Sequence, residues 1–162
     1  MSQYITPADM LSFGAREIAQ AARPDDGPKL VPELLRLTID GGDRSAYSAD
    51  EQGGADGALA RLETVIDRAE GVYEDHCRHR YALPLHPVGE QDKGTMRDLA
   101  RYYLYEDRAD ENVKDRYEAA LGHCRAIAAG RVILLAAPAA SGAGAGMPAF
   151  DTGGQNFGAD DY

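Results

Sequence analysis

Five side chains in this 162-residue chain have the chemistry of metal ligands: His76, Cys77 and His79 in one stretch, His123 and Cys124 in another. Zinc would need four of them converging tetrahedrally. Their spacing argues against that, because neighbours on a rigid predicted helix point apart. Cys77 and Cys124 also continue apolar stripes, where a thiol packs as a small hydrophobe. The acids run in groups, Asp67, Glu70, Glu74 and Asp75, then Glu106, Asp107, Asp110 and Glu111. With Arg61, Arg68 and Arg78 interspersed, they read as solvated helix faces rather than catalytic pairs. No serine stands in a nucleophile elbow, and the GAGAG run at 142–146 precedes no predicted helix, so it opens no dinucleotide site. The expectation is no catalytic residue, no resident metal and no cofactor: not an enzyme. The competing reading is a small helical His/Cys metal-binding protein, which stoichiometric zinc would reveal.

The tyrosines point elsewhere. Tyr102, Tyr103 and Tyr105 crowd one helix end and cannot all face one core. Tyr103 is expected inward with Leu99 and Leu104. Tyr102 and Tyr105 then lie beside Arg101 and Arg108, a mixture suited to a wet protein interface.

The elements that must position these residues are helical. Thr6-Pro7-Ala8-Asp9 is a helix start, with Met10, Leu11, Phe13, Ile18 and Ala19 giving an apolar face to about Ala22. A second helix is predicted over Leu30 to Ile39, entered near Pro32 and ended by Asp40-Gly41-Gly42-Asp43. Ser48 and Glu51 form a capping box, and Leu59, Leu62, Ile66, Ala69, Tyr73 and Cys77 stripe a long helix ending near His79. Pro84 and Pro87 keep Tyr81 to Val88 extended as a strut. Thr95 is predicted to cap a helix bearing Met96, Leu99, Ala100, Tyr103 and Leu104. Asp110 caps the last, with Val113, Tyr117, Leu121, Cys124 and Ile127 on one face and Gly130 at its end. The short link between these two predicts an antiparallel helical hairpin. The fold class is therefore all-α: a small antiparallel bundle over residues 1–131 with an extended tail over 132–162.

That tail is mostly Ala, Gly and Pro and too poor in apolar mass to build its own core. Met147, Phe150, Phe157 and Tyr162 are spaced along it as candidate anchors for a partner. Acidic residues outnumber basic ones 27 to 17, a formal charge of −10. That balance excludes broad duplex binding, which depends on Lys and Arg neutralising phosphates. Two cysteines and no basic-then-apolar leader in MSQYITPADM predict a soluble chain of a reducing compartment. The apolar run from Val132 to Ala140 is too short to span a bilayer.

YITPADML near the start, RYALPL at the end of the long helix, then DLARYYLYEDR and RYEAAL resemble the Mu-like prophage head–tail connector family. The resemblance runs from Tyr4 to Gly130. It implies a virion neck protein, made in the host cytoplasm, whose copies form a ring, commonly dodecameric, beneath the portal after DNA packaging. The helical bundle would make the ring wall and the tail would embrace the portal. Implied partners are the portal protein, neighbouring copies, and a downstream neck or tail protein. DNA would pass the channel without sequence-specific binding, and no membrane is involved. Arg78, Arg80, Arg101, Arg108 and Arg116 are the cations expected to meet acids on neighbours. A neck stopper or tail terminator is the alternative within the virion, though such proteins are commonly β-rich.

Overall fold

A computed structural model describes residues 3–23 and 29–139. Among these residues the protein is all-α, with six α-helices, two 3₁₀ turns and no strand beyond an isolated bridge. Helix α1 (Pro7–Met10) opens on the expected cap: Thr6 accepts from the Asp9 N–H while the Asp9 side chain reaches back to Thr6 N. The predicted single helix to Ala22 is interrupted. After a 3₁₀ turn (Leu11–Phe13), Gly14 takes φ +112°, which a side chain would resist, and α2 (Ala15–Ala22) restarts in a new direction. Helix α3 spans Pro32–Asp40, with Pro32 in its first turn.

Helix α4 (Ala49–Cys77) is the axis of the molecule, 29 residues and roughly 43 Å long. The Ser48–Glu51 capping box is present, and Gly53, Gly54 and Gly57 are carried without a break. Ala55, Ala58, Leu62, Ile66, Ala69, Tyr73 and Cys77 are buried along it, while Leu59 is only half-buried. Helix α4 packs against α3, α5 and α6, so its buried stripe faces several partners at once.

The strut is non-helical from Ala82 to Gly89, as its prolines predict, but bent rather than extended, with Leu83-Pro84 and His86-Pro87 joined by cis peptide bonds. Helix α5 (Glu90–Tyr105) starts earlier than expected, at a Gly89 cap. Thr95 does not cap it; its hydroxyl lies inside the helix and donates to the Gln91 carbonyl at 3.1 Å. Helix α6 (Glu111–Ala128) is capped by Asp110, which accepts from the Val113 N–H at 2.9 Å. Its buried face is Val113, Ala120, Cys124 and Ile127, with Tyr117 and Leu121 at the margin. The α5–α6 hairpin turns through a 3₁₀ turn (Glu106–Arg108), where Glu106 enters a positive-φ conformation that non-glycine residues rarely adopt.

Beyond α6 the chain turns at Gly130, φ +73°, with the Arg80 guanidinium against it. Residues 132–139 then run back along the strut. Ala82 N–H donates to the Ala137 carbonyl at 3.1 Å, and Ala139 N–H to the Arg80 carbonyl at 2.8 Å. Leu134 and Ala136 point inward and are buried, and Leu134 N–H donates to the Tyr81 hydroxyl at 2.9 Å. The described body thus extends to Ala139. No helix among the described residues is long and apolar enough to cross a membrane.

Candidate functional site

The tyrosine–arginine cluster sits where the hairpin meets α2. Tyr103 faces inward as expected, with the Arg68 guanidinium 4.1 Å from its ring centroid. Tyr102 is half-buried and stacks on Tyr117 of α6, centroids 3.8 Å apart at 14°. Tyr105 is half-buried beside Arg101. Arg101 itself is taken up within the subunit. Its Nε and Nη2 donate to Glu17 at 2.8 and 2.7 Å, it covers the Phe13 ring, and its side chain is 11% exposed. Arg108 donates to the Ala21 carbonyl at 3.3 Å. The structure brings Arg101 and Arg108 each beside Tyr105, while Tyr102 turns to Tyr117 of α6, and the two arginines serve first as ties between α2 and the hairpin. Beside them, Gln20, Ala21, Tyr105 and Arg108 line a surface cleft of about 310 Å³.

Of the other cations expected to reach neighbours, Arg78 pairs with Asp75, and Arg116 with Asp98 at 3.4 Å. Arg80 has no acid among the described residues.

The His/Cys set does not converge. Among the described residues no group of three or more His, Cys, Asp or Glu is placed to hold a metal ion. His76 Nδ1 bonds the Val72 carbonyl at 2.8 Å one turn back on its own helix. Cys77 and Cys124 are free thiols buried in the core. Burial first, then nearby negative groups, pushes Cys77 up to about 12; burial pushes Cys124 up to about 11. In the folded state both keep their protons at a pH where the unfolded thiols, near 9.0, have lost them. The unfolded state therefore binds fewer protons above about pH 9, and stability falls as pH rises from there toward 11–12. A Cys124→Ala variant is expected to flatten part of that alkaline slope in urea titrations. An unchanged slope would contradict the assignment.

Glu70, expected on a solvated face, and Asp92, which the sequence did not single out, are structural centres instead. Glu70 is 5% exposed and accepts three backbone N–H groups from the N-terminal segment: Gln3 at 2.7 Å, Tyr4 at 2.8 Å and Ile5 at 2.9 Å. Beside it the Tyr4 hydroxyl donates to Glu74 and accepts the Leu85 N–H of the strut at 2.9 Å. Asp92, also buried, accepts from the Tyr73 hydroxyl at 2.6 Å and lies 3.2 Å from His123 Nε2. That triad links α4, α5 and α6. The missed signal was periodic: Glu70 follows Ile66 by four and precedes Tyr73 by three, and Asp92 precedes Met96 and Leu99 at helical spacing.

Among the described residues the most exposed large apolar side chains lie just ahead of residue 140. Ile133 and Leu135 alternate outward from the returning segment, 81% and 74% exposed, and Leu83 on the strut is 39% exposed. Leu135 lies over Gly89 at the head of α5. The predicted anchors Met147, Phe150, Phe157 and Tyr162 lie outside the described residues.

Compared with known proteins, the chain matches a family model described as bacteriophage Mu, Gp36, over residues 4–148. No curated protein and no solved structure matches it.

Proposed function

This chain belongs to the bacteriophage Mu Gp36 family, and from that premise we propose that this phage protein is a structural adaptor of the virion neck. Its copies form a ring, dodecameric to match the portal, that joins the portal to the tail or neck proteins after DNA packaging. The observation that carries this reading is the open apolar pair Ile133 and Leu135 at the exit of an anchor-bearing tail. Exposed apolar side chains clustered on an otherwise polar surface mark a place where another protein docks. The rest of the body suits a wall element. Its helices are tied by buried polar bonds rather than arranged around a reactive cleft, and its acidic balance would repel DNA passing through a channel.

Assembly energetics supply the mechanism. Each subunit makes modest contacts, and ring closure makes many weak contacts act together. The tail reaches the portal with its aromatic anchors. The all-α body favours an adaptor over a stopper or terminator. On this reading the protein catalyses no reaction.

Quantitative mass spectrometry of purified particles tests the proposal. The chain is expected at a fixed ratio to the portal protein, and particles made without it should be filled heads lacking tails. Tailed, infectious particles lacking the chain would overturn the reading.

A further inference from the structure

The returning segment has the features of an unfilled edge. Leu134 and Ala136 are buried against the core while Ile133 and Leu135 face outward, on a segment that bends at Leu135 and Ala136. On that segment the N–H groups of Ile133, Leu135, Ala136 and Ala137 find no partner among the described residues, although Val132, Leu134 and Ala139 are bonded. Arg80 and Arg131 flank it, both exposed, and neither meets an acid among the described residues. The edge is thus apolar, short of hydrogen-bond acceptors and basic at one end, in a chain whose net charge is −10.

The same chain contains a segment of opposite character. Residues 140–162 hold three aspartates and no lysine or arginine, with Met147 and Phe150 just ahead of Asp151. Residues 140–146, ASGAGAG, offer no bulky side chain and can span about 25 Å when extended. We infer that the proximal tail, Met147 to Asp151, of one copy docks on the Ile133–Leu135 edge of a neighbouring copy, with Asp151 toward Arg80 and Arg131. Met147 and Phe150 then cover the two exposed side chains and take that apolar surface out of water. Phe157 and Tyr162 remain free to reach the portal. The tail would therefore couple each subunit to the next before it couples the ring to the portal. This deepens the adaptor reading and rests on it for the ring, but its test needs only purified chain.

Two full-length variants, Ile133→Cys and Phe150→Cys, distinguished by a mass tag, are mixed at high concentration under mild oxidation. The crossed disulfide is expected to exceed either same-variant product several-fold. Adding Arg131→Glu to the first variant should reduce the crossed yield, and adding Asp151→Arg to the second should restore it. A crossed yield no greater than the same-variant products would overturn the inference. So would a chain carrying both cysteines that closes only on itself at every concentration. Either result with the chain still present in particle necks would sink this inference alone and leave the adaptor reading standing.

Discussion

A Glu70→Ala variant is expected to lose about 3 kcal/mol of folding stability, roughly 10 °C in Tm. The carboxylate is the shared acceptor for the N–H groups of Gln3, Tyr4 and Ile5, and Tyr4 and Ile5 are buried. Removing it strands those donors or forces the segment to peel away and expose the Ile5 side chain. Either route costs more than a surface substitution, because hydrogen bonds to a charged acceptor contribute about 1.5–3 kcal/mol each and re-solvation offsets only part. Glu70→Gln separates the causes. Its carbonyl oxygen can keep the two bonds made by Oε1, to Tyr4 and Ile5, and gives up the one made by Oε2, to Gln3. The glutamine variant should therefore fall between wild type and alanine. Amide exchange at Leu85 should quicken in the alanine variant, since Tyr4 transmits the clamp to the strut through its hydroxyl. An alanine variant within about 0.5 kcal/mol of wild type would contradict this account of the N-terminal segment.

The second large effect is expected at Asp92. Burial, then the bond to Asp92, pushes the Tyr73 hydroxyl well above its ordinary range, so it keeps its proton and donates. Asp92→Ala leaves that hydroxyl unpaired in a site where Tyr73 is 0% exposed, at a cost of about 3 kcal/mol. Tyr73→Phe alone should cost about 1 kcal/mol, since it removes the donor along with the bond. In the double variant the orphaned hydroxyl is gone. The combined loss should then fall short of the sum by about 1 kcal/mol. Strict additivity in urea denaturation would mean that the two side chains are not coupled.

These clamps show what the sequence could and could not reveal. The caps at Thr6, Ser48 and Asp110 were legible because each bond closes within three residues. The hydrophobic stripes of α4 and α5 were legible for the same local reason, since helical spacing sets which positions share a face. Gly14 is the local sign of the break, but an isolated glycine is also tolerated inside a helical pattern, and its positive φ is visible only in the fold. Thr95 is a residue type that caps helices and stands just ahead of the apolar face, yet the helix already begins at Gly89, just after Pro87. Glu70 was assigned to solvent because its partners lie at the far N-terminus, 65 to 67 residues away. Charge type outweighed a periodicity that placed it on the inner face.

The contact surface divides the same way. Composition and spacing point to Tyr102, Tyr105, Arg101 and Arg108, of which Arg101 and Arg108 lie beside Tyr105 while Tyr102 stacks on Tyr117. Their use inside the subunit was not legible, because Glu17, Phe13 and Ala21 reach them only through the tertiary fold. The strongest open patch, Ile133 and Leu135, was invisible as such, since an apolar run is ambiguous until one side is seen to be buried.

The most direct test of the adaptor account is a reconstruction of the particle neck with this protein present. The account predicts a ring of these helical bundles beneath the portal, with the Ile133–Leu135 edge covered and the tail reaching the portal. A neck fully occupied by other proteins, with this chain absent, would contradict it.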